Sequence, residues 1–275
     1  MTIPSLSHSL SAMRKFDIVE VLAIVAFAAI VSFYVSGRLS RASSAPVLVD
    51  EDVLETVTKR YGTEKFSQGP EEWLIRDFFN DLRGGVFLDV GAYDARKFSN
   101  TYRLEHDLGW SGIAIDAIKE FGAGYQQFRP HSRFVVAFVA DRDVGEETLH
   151  INPEDPATSS VSDAFTHLFT KTTVARQVPV RTLDGILQET GTARIDLLSM
   201  DIELGEPLAL HHFSIGHYRP RLAVVEAHGQ TRQAILDYFA EAGYVVVGRY
   251  LHPDTQNLYF TPHESGRSLV QPAVQ

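Results

Sequence analysis

Cysteine is absent from all 275 residues. That excludes a disulfide-stapled scaffold, a thiolate zinc site and a cysteine nucleophile. Two phosphate-gripping signatures are missing as well. After Gly91 come Ala92, Tyr93, Asp94, Ala95 and Arg96 rather than G-x-G-x-x-G, and no G-x-x-x-x-G-K-[ST] loop occurs, so pyrophosphate cofactors and nucleoside triphosphates are disfavoured. Basic charge is scarce too, with 25 Lys and Arg against 35 Asp and Glu. Residues 1–45 hold Arg14, Lys15, Arg38 and Arg41 against Asp17 and Glu20, which leaves 21 basic and 33 acidic side chains for the rest. A body with a net charge of −12 is a poor binder of phosphate backbones, which excludes nucleic acid as a partner. Internal repeats and low-complexity tracts are also lacking.

What is present begins with an apolar run. Residues 21–37 (VLAIVAFAAIVSFYVSG) carry no charge. With Ile18 and Val19 in front, the stretch approaches the roughly 20 residues that span a hydrocarbon core. Glu20 then falls near one interface, and Phe33 and Tyr34 near the other. The expectation is a single transmembrane helix at about 18–37 within an amino-terminal segment 1–45, followed by the polar linker RLSRASSAPVLVD. A cleaved signal peptide fits less well, because such apolar cores run to about 7–15 residues. A buried soluble helix is the remaining alternative. The flanking basic pairs balance, so the positive-inside rule assigns no orientation.

Residues 46–275 read as one domain of alternating strand and helix. Residues 71–82 (EEWLIRDFFNDL) place Trp73, Leu74, Phe78 and Leu82 at helical spacing. Residues 85–90 (GVFLDV), 112–115 (GIAI), 134–140 (FVVAFVA), 195–202 (IDLLSMDI) and 222–225 (LAVV) read as buried strands. Residues 244–250 and 257–260 read as a closing pair. This order predicts an α/β fold, a mostly parallel sheet with helices on both faces. Ligands of such sheets bind beyond the carboxyl ends of the strands. Acidic residues cluster at those ends: Asp89 and Asp94 around Gly91, then Asp116, Asp141, Asp201 with Glu203, and Glu226 with His228. Helix capping alone explains one or two of these.

A glycine after the first strand lets a ligand approach the backbone. A carboxylate at the end of the second strand is placed to accept hydrogen bonds from ribose hydroxyls. An adenosine-bearing cofactor without phosphates fits both, which points to S-adenosylmethionine. At these positions the chain resembles a known family. Residues 85–116 (GVFLDVGAYDARKFSNTYRLEHDLGWSGIAID), with Ser99-Asn100-Thr101, Leu104-Glu105 and Leu108-Gly109-Trp110, are similar to FkbM-type S-adenosylmethionine-dependent methyltransferases. Thr182-Leu183-Asp184, residues 195–206 (IDLLSMDIELGE) and Val225-Glu226 continue the likeness, which covers about residues 60–262.

The resemblance implies a class I methyltransferase fold, Rossmann-like, whose seven-stranded sheet ends in an antiparallel strand. It implies that Asp89 and Gly91 shape the methionine-side turn, that Asp116 binds ribose and that Asp141 lies near the adenine. It implies that Ser99 and Asn100 help hold the cofactor or position the following helix, and Asp94 completes the expected cofactor set. It also implies O-methylation of a sugar, a glycan or a small metabolite. Two departures stand out. The family's usual Glu-Pro after the second strand is Asp116-Ala117 here, and its usual Gly after Glu203 is Leu204. A positive φ at Leu204 would cost about 1–3 kcal/mol unless the turn shifts onto Gly205. That departure motivates the alternative of a non-catalytic binding module with the same fold.

Methyl transfer to a hydroxyl needs orientation and a base. Asp201, Glu203 and His228 are the catalytic candidates. Asp201, Glu226 and His228 would form an oxygen and nitrogen set suited to Mg²⁺ or Mn²⁺. Nothing in their spacing demands an ion, and no metal is expected. His211, His212 and His217 read as surface or helix residues. S-adenosylmethionine is cytosolic, so the expected placement is a single-pass membrane protein with its catalytic domain in the cytoplasm.

Overall fold

The computed structural model describes residues 52–160 and 162–263. The expected transmembrane helix at 18–37 lies outside them. Among the described residues, no helix is long and apolar enough to cross a membrane.

Two helices, α1 (Val53–Tyr61) and α2 (Glu71–Phe79), precede the first strand. The helix expected over 71–82 stops early because Asn80 takes the left-handed conformation (φ 52°) and its N–H turns back to the Arg76 and Asp77 carbonyls. Strand β1 (Val86–Val90) leads to α3 (Tyr102–Leu108), β2 (Ser111–Asp116), α4 (Gly122–Phe128) and β3 (Ser132–Val136). A short β4 (Phe138–Val139), β5 (Glu146–Ile151), α5 (Asp163–Thr166) and β6 (Val174–Arg181) follow. The chain then runs through α6 (Leu183–Thr190), β7 (Leu197–Met200), α7 (Glu206–Leu210), α8 (Ile215–Tyr218) and β8 (Leu222–Glu226). It closes with α9 (Arg232–Glu241), β9 (Tyr244–Val246) and β10 (Asn257–Pro262).

Seven strands form one sheet in the order β3-β2-β1-β7-β8-β10-β9. β10, the last in sequence, is antiparallel to both of its neighbours, whereas β3-β2-β1-β7-β8 are parallel throughout. Alternation along each strand sorts apolar side chains to two faces. Phe87, Leu197, Val224 and Tyr259 pack against Trp73, Leu74 and Ile75 of α2 and Leu104 of α3. Their neighbours Leu88, Leu198, Val225 and Phe260 pack on the other face with Ile186, Ala209, Ile235 and Phe239 of α6, α7 and α9.

The sequence reading differs in two places. The single strand expected at 134–140 is two: β3 pairs with β2, whereas β4 leaves the main sheet and pairs with β6. β5 and β6, antiparallel to each other, complete a separate three-stranded sheet that the sequence reading missed. Their exposed alternate residues leave only Leu149, Ile151, Val178 and Val180 as an apolar face, too sparse for a buried-strand pattern. The strand expected at 244–250 ends at Val246 and turns into a single 3₁₀ turn, Gly248–Tyr250.

Candidate active site

The sheet's order reverses at β1, whose chain partner β2 lies on one side and whose later partner β7 lies on the other. A cleft of about 870 Å³, its open mouth included, lies at the carboxyl ends of these three strands. Gly91, just past β1, has φ 79°, and a Cβ there would lie 1.7 Å from the Asp201 carbonyl oxygen. Only glycine fits. Gly91 and Ala92 both donate their N–H to the Ile115 carbonyl, at 2.9 and 3.0 Å, so the turn is tied to β2.

Asp116 ends β2 and fastens two loops. Its Oδ2 accepts from the Tyr93 N–H at 2.9 Å and its Oδ1 from the Ile118 N–H at 2.7 Å. Each oxygen keeps a further lone pair for a ligand's hydroxyls. Burial raises the Asp116 carboxyl to about 6, against the pull of those backbone donors. Ile118, Phe138, Val139 and Leu149 form an apolar wall, so the small sheet contributes directly to the cleft. Gln68, Ser159 and Ser160 add neutral polar groups. Among the described lining residues, Asp116, Asp201 and Glu203 are the charged ones, and no Lys, Arg or His joins them.

Beyond β7 the chain turns sharply. Asp201 donates its N–H to the Val90 carbonyl at 2.9 Å. Glu203 and Leu204 then adopt φ 53° and 77°, whereas Gly205 sits at φ −82°. The turn has therefore not shifted onto the glycine, and the strain falls on Glu203 and Leu204. The bend brings Glu206, at the start of α7, back so that its Oε1 accepts from the Ile202 N–H at 2.9 Å. His228, just past β8, places Nε2 at 3.1 Å from Glu226 Oε2 and 3.6 Å from Glu203 Oε2.

Four carboxylates thus share a small volume. Removal from water and the like charge of Glu226 hold the Asp201 carboxyl well above the usual range. Asp201 is exposed and lines the cleft. Burial first, then Asp201 and Glu206, pushes Glu203 up to about 8. Burial and Glu203 raise Glu226, and burial raises Glu206.

The remaining expected cofactor residues do not line the cleft. Asp89 is buried within β1 and accepts from Thr101 Oγ1 at 2.6 Å. Asp94 accepts from the Arg96 and Lys97 N–H groups at 2.9 and 2.8 Å, closing its own loop. Ser99 is buried and accepts from the Tyr102 N–H at 3.1 Å and from Arg129 Nη1 at 3.2 Å. Asn100 donates to Ser199 Oγ at 3.1 Å. Asp141, beyond β4, lies 3.4 Å from His211 Nδ1. All five are occupied by the protein itself. The structure adds Glu206, Ser159 and Ser160 to the neighbourhood. Glu206 stands inside the stretch 195–206 but reads in sequence as a first-turn helix acid. The two serines come from a loop that only tertiary structure brings over the cleft.

The chain matches the family described as the methyltransferase FkbM domain over residues 89–246. No protein of curated function matches it in sequence. Among solved structures it is similar to a TehB-like S-adenosylmethionine-dependent methyltransferase from Corynebacterium glutamicum. That likeness has 16% identity and a TM-score of 0.40, and covers 77% of this chain and 98% of the other. It is also similar to the Burkholderia thailandensis 1,6-didemethyltoxoflavin-N1-methyltransferase with bound S-adenosylhomocysteine. There the identity is 15% and the TM-score 0.34, with 92% and 96% of the two chains covered. Both structural likenesses are too remote to assign a substrate or a residue to this chain.

Proposed function

The chain belongs to the FkbM methyltransferase family, and from that premise we propose that it transfers a methyl group from S-adenosylmethionine to a hydroxyl of a sugar, a glycan or a small metabolite. The observation that carries the reading is the charge of the cleft. Its described lining is acidic and apolar without a single basic side chain, which suits an adenosine carrying a cationic sulfonium and repels phosphates. Gly91 clears the backbone for the cofactor's approach, and Asp116 keeps lone pairs for the ribose hydroxyls. When bound, the cofactor supplies an electrophilic methyl group on positively charged sulfur.

The chain's own residues orient the acceptor and remove its proton. His228, outside the described lining but 3.6 Å from Glu203 within it, is the base that would accept the acceptor's O–H proton. Glu226 and Glu203 lie 3.1 and 3.6 Å from Nε2 and orient the ring. Asp201, at the cleft mouth, holds the acceptor hydroxyl. A non-catalytic module remains the second reading, favoured by the strained Leu204. The single-pass anchor at 18–37 and a cytoplasmic catalytic domain belong to the same proposal. A reporter fused after Gln275 that works only outside the cytoplasm would refute that placement.

Calorimetry with S-adenosylhomocysteine tests the core of the reading. Binding is expected for the full chain and is expected to weaken at least tenfold, about 1.4 kcal/mol, in Asp116→Ala. His228→Ala is expected to keep that binding and to lose about 10²–10⁴-fold in the rate of methyl transfer. The rate is read as incorporation of a labelled methyl group into cellular glycan and metabolite fractions.

A further inference from the structure

We propose that Asp201, Glu206 and Glu226 build a divalent-cation site that adjoins this cleft at Asp201. These carboxylates each bring one oxygen to within 4.8 Å of the other two. A cation held at about 2.1–2.4 Å needs ligand oxygens roughly 3 to 4.8 Å apart, so one ion can contact all three. The elements that converge are separate: Asp201 follows β7, Glu206 opens α7 and Glu226 ends β8.

An acidic cluster alone would not distinguish an ion site from a solvated edge. The decisive feature is Glu206. It is completely buried, its Oε1 is taken by the Ile202 N–H, and its Oε2 has no hydrogen-bond partner. A buried carboxylate oxygen without a donor is costly unless a counter-charge is present. Among the described residues, no Lys or Arg ion-pairs with Asp201, Glu206 or Glu226, and His228 Nε2 lies 3.1 Å from Glu226 Oε2. Three hard oxygen donors select Mg²⁺, Mn²⁺ or Ca²⁺ over softer metals.

The site's role rests on the methyltransferase reading, although ion binding does not. Asp201 belongs both to the three ligands and to the cleft lining. An ion there would stand beside Asp201, the residue proposed to hold the acceptor hydroxyl, where it would bind the acceptor oxygen and favour its deprotonation.

The test is titration of the chelator-treated full chain with Mn²⁺ at pH 7.5, followed by electron paramagnetic resonance. S-adenosylhomocysteine binding is measured in parallel on the same samples. One Mn²⁺ per chain is expected. Glu206→Gln and Glu226→Gln are each expected to weaken it at least tenfold, the loss that even a residue supporting a metal ligand causes. Asp141→Asn, outside the cluster, serves as the control and is expected to bind normally. Absence of stoichiometric Mn²⁺ binding, or binding that survives in both Gln variants, overturns the site. Retained S-adenosylhomocysteine binding shows that a variant is folded. Mn²⁺ binding without S-adenosylhomocysteine binding would instead uphold the ion site and remove the methyl-transfer reading.

Discussion

Asp116 and Leu204 show how much a single side chain decides here. The Asp116 carboxyl titrates near 6 in the folded chain against 3.8 for the free group. A raised carboxyl favours folding at low pH, and that contribution is lost as pH rises through about 6. Cofactor affinity runs the opposite way, because ribose hydroxyls need the ionised acceptor. Calorimetry is therefore expected to show S-adenosylhomocysteine binding weakening as pH falls through about 6, with the dependence lost in Asp116→Asn. Leu204 carries a φ of 77° in a turn where its successor is a glycine with an ordinary φ. Leu204→Gly is expected to relieve strain and stabilise the chain by about 1 kcal/mol, net of the extra backbone entropy of glycine. Differential scanning calorimetry would read this as a melting temperature about 2–4 °C higher. The sequence exposes both positions as departures from a family pattern. It does not reveal which residue of the turn bears the strain, because backbone dihedrals are set by how β7 and α7 meet.

At the scale of elements, the cleft depends on how β1, β2 and α3 are held in register. Arg129, buried after α4, is central to this. It donates Nε to Glu105 Oε2 at 2.6 Å and Nη2 to Thr101 Oγ1 at 3.0 Å, and its Nη1 reaches Ser99 and the Ala95 carbonyl, both at 3.2 Å. Glu105 in turn accepts from the His131 N–H and from Ser132 Oγ at the start of β3. Removing one partner of a fully buried pair leaves the other charge uncompensated, at about 3–5 kcal/mol. Arg129→Ala is expected to lower stability by that amount, read from the urea midpoint. The family resemblance implies for Ser99 either a cofactor contact or a hold on the following helix, and the structure shows the second. Its partners are Thr101, Tyr102 and Arg129, and no local pattern announces an arginine 30 residues away. The small sheet was invisible for a related reason. β5 and β6 bury only one face, and that face packs on Ile118 and Phe138 rather than on the main core.

For the whole molecule, the sign of charge separates ligands that share an adenosine. S-adenosylhomocysteine at 100 times its dissociation constant should add about 2.7 kcal/mol of stability, a rise of about 5–10 °C for a domain of this size. ATP and NAD at equal concentration are expected to leave the melting curve unmoved, because no basic group lines the described cleft to meet their phosphates. The fold class was legible from the chain alone. Alternating apolar runs, the glycine after β1 and the acidic strand ends are local features, and hydrophobic periodicity together with the chirality of βαβ connections leaves few ways to arrange them. Tertiary structure alone sorted the acidic residues into those that face the cleft and those that hold the protein together. Asp116, Asp201 and Glu203 line it, whereas Asp89, Asp94 and Asp141 turn their oxygens to Thr101, to their own loop and to His211. A strand end specifies where a carboxylate starts. What it bonds depends on the loops packed around it, and those are set by contacts far apart in sequence.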